Sequence, residues 1–228
     1  MTTGIMIFPG AHGDKELTRV LEQVYNLKVR PVWNGETSLE GIDLLFIPGG
    51  FPCKASSAGT MCIEQSPVID AILEYAEKGK VLVGIGNGFR LLCDTDLLPG
   101  SLRMNRSRRY ICRSVFVKPD NDQTLLTLKL SCDRACQLPI ATGYGRYAAR
   151  DEVLVDLRYQ DQILFRFCDG FGRISEENNV TGSVDNIAGL CNARKNVFGI
   201  VPQPERAVFT NGRGGDGRLI FDSLLNHL

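Results

Sequence analysis

The chain has 228 residues, and its 26 lysines and arginines are balanced by 26 aspartates and glutamates. A formal net charge of zero gives no electrostatic reason to expect binding to nucleic acid or to an anionic membrane. No apolar run approaches the roughly 20 residues that are needed to cross a bilayer. The N-terminus lacks the basic and apolar regions of a signal peptide, so we expect a cytoplasmic protein.

Strand-like and helix-like patterns alternate along the first hundred residues. Amphipathic stripes predict helices that begin near Asp14 and near Ser66. Short apolar runs that end at turn residues predict buried strands between these helices. The predicted strands are 4–8, 28–33, 43–48 and 81–85. Apolar strands separated by helices are typical of a doubly wound, mostly parallel sheet, so we predict an α/β fold.

The second half of the chain is richer in strands. Its candidate strands are 111–118, 124–130, 163–168, 187–191 and 197–201, and a final helix is predicted over 217–228. No repeat, low-complexity tract or linker divides the sequence. We therefore predict a single domain over residues 1–228.

Cysteine and histidine limit the chemistry that this chain can perform. Its eight cysteines form no CxxC pair, and no histidine completes a zinc site near them, so we expect no metal and no other cofactor. Of the two histidines, His227 is the penultimate residue. His12 is therefore the one plausible catalytic imidazole, and a Ser-His or Cys-His hydrolase would have to use it.

The stretch VLVGIGNGFRLL at 81–92 predicts a buried strand, a sharp turn and a helix. This is the layout of a nucleophile elbow, in which small residues flank one exposed central position. The N-terminus of the following helix would stabilise a thiolate or an oxyanion there. The central residue is Gly86, which has no side chain. On spacing alone, a glycine-rich turn without a catalytic role is the alternative.

Several motifs in a fixed order extend over nearly the whole chain. They are FPG at 8–10, IPGGF at 47–51, GIGNGFRL at 84–91, LLPG at 97–100, GSVDNIAGLCN at 182–192 and PERAV at 204–208. With these motifs the sequence resembles the class I glutamine amidotransferases, and most closely the glutaminase subunits of phosphoribosylformylglycinamidine synthases. The resemblance implies a flavodoxin-like core with extra strands in the second half.

The family that this sequence resembles releases ammonia from glutamine with a Cys-His-Glu triad. By motif, the resemblance places the cysteine position at Gly86, the histidine position at Gln203 and the third position at Glu205. Glycine cannot attack an amide, and glutamine cannot exchange protons at neutral pH. Because removal of one essential triad member can cost about a million-fold in turnover, the resemblance implies a degenerate triad that no longer hydrolyses glutamine.

The resemblance also implies which residues line the pocket, and several depart from the family pattern. Arg90 stands where the family usually has a glutamine. Thr142 and Tyr144 stand where it usually has histidine and glutamate. The pocket residues expected from the motifs are Gly49, Gly50, Asn87, Arg90, Thr142 and Tyr144.

Two further groups of residues are candidates for other roles. Cys53 follows the glycine pair, and His12 follows the first strand, so a relocated Cys53–His12 pair is topologically conceivable. The alternative is an ordinary loop thiol and a solvated histidine. A basic stretch could grip a phosphate or a partner's carboxylates, or could be inherited structure or a subunit interface. Its arginines are Arg106, Arg108, Arg109 and Arg113.

Three functions are compatible with these features. The leading prediction is a catalytically degenerate glutaminase-like subunit that docks on a synthetase partner, related to the large subunit of phosphoribosylformylglycinamidine synthase. One alternative is a repurposed enzyme that uses the emptied pocket for a different substrate. Another is a sensor that binds a small molecule without turnover.

Overall fold

The computed structural model describes residues 1–50, 66–209 and 215–228, so Cys53 lies outside the described residues. The α-helices in these ranges are Asp14–Gln23 (α1), Val68–Glu77 (α2), Asn87–Asp94 (α3), Asp151–Tyr159 (α4) and Asp216–Leu225 (α5). The strands are Thr2–Ile7 (β1), Lys28–Trp33 (β2), Leu44–Ile47 (β3), Val81–Ile85 (β4), Ser101–Arg103 (β5), Ile111–Pro119 (β6), Cys136–Thr142 (β7), Arg146–Ala148 (β8), Ile163–Cys168 (β9), Ile187–Cys191 (β10) and Val197–Ile200 (β11).

One large sheet organises the molecule. Its strand order is β2-β1-β3-β4-β11-β10-β9-β6-β7, and β5 and β8 form a separate two-stranded sheet. The pairings from β2 to β11 are parallel. The pairings from β11 to β7 are antiparallel. The predicted α/β fold is confirmed, and the extra strands of the second half extend the sheet on one side.

Burial explains why the central strands form where the sequence predicts them. Every residue of β3 and β11 is buried, as is every residue of β4 except Val81. Strands this apolar are stable only when both faces of the sheet are covered. Helix α1 contributes to this cover, because its buried residues Leu17, Val20 and Leu21 lie at helical spacing.

The strand directions decide which loops share an edge. β1, β3, β4 and β11 are parallel, so their carboxyl ends lie on one side of the sheet, which we call the elbow edge. Across the antiparallel pairings β9 and β7 point the same way as β4, whereas β10 and β6 point the opposite way. The start of β6 at Ile111 and the end of β7 at Thr142 therefore lie at the elbow edge as well.

The predicted strand over 124–130 is wrong. This segment forms a series of turns, in which the amide groups of Thr127 and Leu128 both donate to the carbonyl of Thr124. The hydroxyl groups of Thr124 and Thr127 are hydrogen-bonded to each other at 2.8 Å. Threonine and leucine together resemble a strand pattern. Threonine hydroxyls also close turns, however, and this segment forms turns.

Strand β7 and helix α4 escape the sequence patterns, as do the short strands β5 and β8. Strand β7 contains Pro139, which normally argues against a strand, but β7 is the last strand of the sheet. A proline is tolerated there because an edge strand does not need every amide hydrogen bond. Helix α4 buries only Leu154 and Leu157, so its apolar stripe is short. No helix within the described ranges is long and apolar enough to cross a membrane.

Candidate functional site at the glycine elbow

Gly86 occupies a sharp turn between β4 and α3. Its backbone has φ 57° and ψ −113°, a conformation that residues with side chains rarely adopt. A Cβ atom placed on Gly86 would have the Cα of Gly49 as its nearest neighbour, at 3.8 Å. The predicted elbow layout is therefore present, and no atom of the described residues lies closer than 3.8 Å to the place where a Cβ would be.

Packing requires the glycines on both sides of Gly86, which are Gly84 and Gly88. A Cβ on Gly88 would lie 2.0 Å from the carbonyl oxygen of Ile47. A Cβ on Gly84 would lie 2.6 Å from Leu92 and 2.7 Å from the backbone of Gly88. Strands β3 and β4 and helix α3 thus approach so closely that only hydrogen fits between them.

The loops that follow β1 and β3 pack against the elbow. The amide of His12 donates to the carbonyl of Gly49 at 2.7 Å, and Ala11 forms an isolated β-bridge with Gly50. The Nδ2 group of Asn87 donates to the carbonyl of Gly50. The structure therefore brings together four of the predicted residues, His12, Gly49, Gly50 and Asn87. The relocated Cys53–His12 pair stays a prediction, because Cys53 lies outside the described residues.

Gln203 enters the site from the segment after β11. It is buried, and its backbone amide donates to the carbonyl of Pro139 at 2.8 Å. Its side-chain Nε2 lies 3.4 Å from a Cβ placed on Gly49. Its Oε1 is buried without a hydrogen-bond partner among the described residues, and so is the Oδ1 of Asn87. The position at which the resemblance implies a histidine therefore lies beside the elbow loop and carries an amide.

Glu205 is the most buried charged residue of this site. Its side chain lies in a short 3-10 helix, Pro204–Ala207, and is only 2% exposed. Neither carboxyl oxygen has a hydrogen-bond partner within the described ranges, and Oε1 lies 3.1 Å from a Cβ placed on Gly13. Burial raises the pKa of Glu205 to about 8, although its own backbone amide and Arg206 lower it in part. The carboxyl group is therefore mostly protonated at neutral pH.

Arg90 and Tyr144 form a stacked pair beside the elbow. The amide of Arg90 donates to the carbonyl of Gly86, so Arg90 lies one turn along α3. Its guanidinium lies 4.5 Å from the ring centroid of Tyr144, and its Nε is 3.1 Å from Oδ2 of Asp94. The Tyr144 amide donates to the hydroxyl of Thr142. The three divergent pocket positions therefore form one connected group.

Asn105 is the first residue of the family landmark NRSRRYICR at 105–113, but its contacts are visible only in the structure. It is 1% exposed, and its Nδ2 donates to the carbonyls of Thr142 at 2.8 Å and Arg109 at 2.9 Å. Its Oδ1 accepts from the amide of Gly145 at 2.9 Å. One buried side-chain amide thus joins the loop that contains Arg109 to the loop that carries Tyr144. An asparagine within an exposed basic stretch gives no signal of this in the sequence.

The predicted arginines do not act as one group. Arg106 forms an ion pair with Glu176 at 2.6 Å. Arg108, Arg109 and Arg113 are exposed, and among the residues the structure describes none of them pairs with an acidic side chain. They lie at the elbow edge, but none reaches into the elbow.

The elbow has the backbone shape of a nucleophile position, with Gly86 at its centre. No group of three histidine, cysteine, aspartate or glutamate side chains in that part could hold a metal. Cys93, in α3, is buried, and burial together with Asp94 raises its pKa far above the ordinary value. It is therefore an unreactive core thiol. What the arrangement offers a ligand is a set of buried polar atoms, among them Asn87 Oδ1 and Gln203 Oε1, that have no hydrogen-bond partner among the described residues.

Comparison with known proteins shows the same scaffold. The family profile of the CobB/CobQ-like glutamine amidotransferase domain matches residues 2–212. The phosphoribosylformylglycinamidine synthase subunit PurQ of Salinibacter ruber is 37% identical over 225 residues, which cover 99% of this chain and 96% of that protein. The PurQ subunit of Acaryochloris marina is 38% identical over 228 residues, covering 100% and 97%. In the structure of PurLQS from Thermotoga maritima, one chain matches with a TM-score of 0.81 and 30% identity, covering 99% and 98%.

Proposed function

Because the chain belongs to the class I glutamine amidotransferase family, we propose that it is a glutaminase-like subunit that no longer hydrolyses glutamine. The observation that carries the proposal is Gly86 at the centre of an otherwise intact elbow. A thioester intermediate needs a nucleophilic side chain at that point, and glycine has none.

The neighbouring groups support the same conclusion. Gln203 has no proton to exchange at neutral pH, so it cannot activate a nucleophile or protonate leaving ammonia. Glu205, the remaining member of the motif, has no imidazole to orient and is mostly protonated near pH 7. Loss of the nucleophile and the base together leaves only the pocket and its backbone donors.

The preserved scaffold supports a role in an assembly. The relatives are named as subunits of phosphoribosylformylglycinamidine synthase, and the Thermotoga structure is a structure of PurLQS. The present chain spans nearly the full length of both. We therefore propose that its partner is a synthetase subunit of the same class as the large subunit of that synthase.

The direct test is glutamate release from glutamine by the purified chain, alone and with the large synthetase subunit from the same organism. The Salinibacter ruber PurQ subunit, assayed beside it with its own partner, is the positive control. We expect no release above the uncatalysed background. Turnover at the rate of the control would contradict the proposal.

A restored triad tests whether the rest of the site is still organised. The double variant Gly86→Cys with Gln203→His supplies both missing groups, and the open space at Gly86 accommodates a side chain. The positive φ of Gly86 adds a conformational cost of about 1–3 kcal/mol. We expect measurable glutamate release from the double variant and none from Gly86→Cys alone, which lacks a base.

Binding of a small molecule without turnover is the second candidate function. Asn87 Oδ1, Gln203 Oε1 and both carboxyl oxygens of Glu205 are buried and lack donors among the described residues. A ligand that carries hydrogen-bond donors, and one acceptor for the O–H of protonated Glu205, would satisfy them. Calorimetric titration with glutamine tests this candidate, and the absence of heat would count against it. A repurposed enzyme would use the same atoms, and it would differ by converting its ligand.

A further inference from the structure

An exposed surface beside the elbow has an unusual composition. It consists of Met104, Arg108, Arg109, Tyr110 and Arg113, and we call it the arginine surface. Met104 is 43% exposed and Tyr110 is 54% exposed, and the three arginines are also exposed. The surrounding segment 101–117 contains no lysine, aspartate or glutamate.

This composition is typical of a protein interface. Methionine, aromatic residues and arginine are enriched in the centres of such interfaces, whereas lysine is depleted. Arginine presents a planar group of donors that fits carboxylates, and its charge is weakly hydrated. An exposed methionine and tyrosine between arginines therefore favour a protein partner over solvent.

Acidic side chains among the described residues do not balance the charges of this surface. Arg106 and Arg158, by contrast, have acidic partners at 2.6 Å and 2.8 Å. None of the three arginines in the surface has such a partner in the described part of the chain. Since a partner would have to supply the missing carboxylates, its matching surface must be acidic.

Other ligands fit this surface less well. A phosphate site requires donors that converge on one point, but these arginines are spread along an exposed loop and the start of β6. The formal net charge of zero gives no long-range attraction to nucleic acid. A protein surface with several separated carboxylates matches both the spread of the arginines and their exposure.

The arginine surface is also connected to the emptied pocket. The buried side-chain amide of Asn105 donates to the carbonyl of Arg109. The same amide group is hydrogen-bonded to Thr142 and Gly145, in the loop that carries Tyr144. The Cδ2 atom of Tyr110 lies 3.8 Å from a Cβ placed on Gly143. A partner that contacts the arginine surface would therefore lie next to the pocket.

We infer that the arginine surface is where this chain docks, and that it contacts an acidic face of the synthetase partner. The inference rests on the proposed function, because that function supplies the partner. It adds the residues that make the contact and the charge of the surface that they meet.

The experiment compares two charge reversals in the full-length chain. The variant Arg108→Glu/Arg109→Glu inverts the arginine surface. The matched control is Arg194→Glu/Lys195→Glu in the hairpin between β10 and β11, at the opposite edge of the sheet. Each pair holds one residue of positive φ, since Arg108 has φ 57° and Lys195 has φ 54°. Thermal melting verifies that both variants fold.

Binding to the large synthetase subunit from the same organism is measured by calorimetry at low and high salt. We expect the arginine-surface variant to lose at least about tenfold in affinity and the control variant to change by less than about twofold. Binding of the unmodified chain should weaken as salt rises, because exposed charges are screened.

Each remaining outcome rejects a specific part of the proposal. If the unmodified chain and both variants bind equally well, the docking surface lies elsewhere and the proposed function stands. If the unmodified chain does not bind the synthetase, the proposed docking and this inference both fail. If the reversal abolishes binding to a single-stranded RNA oligonucleotide but not to the synthetase, the surface belongs to a nucleic-acid ligand and the inference is wrong.

Discussion

Glu205 is a carboxylic acid buried without a hydrogen-bond partner in the described part of the chain. In the family's triad this position faces an imidazole, which would stabilise the ionised form. With Gln203 there, burial is the largest influence on the carboxyl group and its pKa rises to about 8. If Glu205 stands at the third triad position, as the resemblance implies, its protonation state differs from the ionised one that orients an imidazole.

This raised pKa makes stability depend on pH. The folded pKa of about 8 exceeds the ordinary value of 4.5, so the folded state binds the proton more tightly than the unfolded state. The contribution is fully present below about pH 4.5 and is lost as the pH rises through about 8. We expect Glu205→Gln, which cannot ionise, to be more stable than the unmodified chain at pH 9, with a smaller difference at pH 5.

Denaturant unfolding at several pH values measures this difference. The control is Glu177→Gln, because Glu177 is exposed and forms no ion pair in the described part of the chain. Its free energy of unfolding should follow that of the unmodified chain. Parallel pH profiles for Glu205→Gln and the unmodified chain would show that the carboxyl group is already ionised at neutral pH.

Asn105 is the second residue at which one side chain decides local structure. Replacement by alanine removes partners from the carbonyls of Thr142 and Arg109 and from the amide of Gly145. Because unsatisfied buried groups are costly, we expect Asn105→Ala to lower the free energy of unfolding by about 1–3 kcal/mol. Thermal or denaturant unfolding measures the loss.

Hydrogen exchange gives a second readout for this variant. The amide of Gly145 should lose protection in Asn105→Ala, since its acceptor is gone. The control Asn226→Ala removes an exposed hydrogen bond to Asp222 near the C-terminus and should change stability little. Equal stability losses in the two variants would contradict the role assigned to Asn105.

At the scale of elements, the elbow depends on close contact between two strands and a helix. The contact is closest at Gly88, where a Cβ would overlap the carbonyl oxygen of Ile47. Both groups belong to backbone, so neither can rotate away. The variant Gly88→Ala should therefore displace α3 from β3 and lower stability by about 3 kcal/mol or more.

The chain contains a matched control for this substitution. A Cβ placed on Gly35 has no atom of the described residues within 4 Å, and Gly35 does not have a positive φ. Gly35→Ala should leave the melting temperature unchanged or raise it slightly. If Gly88→Ala melts at the same temperature as Gly35→Ala, the strands and the helix are not in close contact at the elbow.

A comparison of the predicted with the observed strands shows where the sequence patterns are reliable. Strands β2 and β4 are predicted with the bounds that the structure gives. Strand β4 is a continuous apolar run, as expected of a buried strand in a parallel sheet, whereas β2 is an edge strand in which only Val32 is buried. The segment 124–130 is predicted wrongly, since its threonine hydroxyls close turns. Strand β7 is missed because its proline suits only an edge strand, and the sequence does not show which strand is at the edge.

At the scale of the whole molecule, strand direction gathers the functional residues. The loops after β1, β3 and β4 and the segment after β11 all open at the elbow edge, and the antiparallel strands add the start of β6 and the end of β7. Residues as distant in sequence as His12, Gly49, Gly86 and Gln203 meet there. The single domain over 1–228 stays a prediction.

A complex that contains this chain should use ammonia from solution. If the synthetase partner binds this chain but receives no ammonia from it, the complex is expected to form product with an ammonium salt and not with glutamine. The measurement is product formation by the reconstituted complex with each nitrogen source. Product from glutamine at the rate of a glutaminase-bearing complex would contradict the proposed function.

The sequence by itself determined the α/β fold, most of the central strands and the elbow, while the three triad positions stay a prediction from the resemblance. These features follow from local spacing and from motifs, which a linear chain displays directly. Only the tertiary structure decided that Glu205 is buried without a partner among the described residues, that Arg90 stacks on Tyr144 and that Asn105 joins two loops. The physical reason is that desolvation and hydrogen bonding depend on neighbours from distant parts of the chain, and strand order and direction decide which neighbours these are.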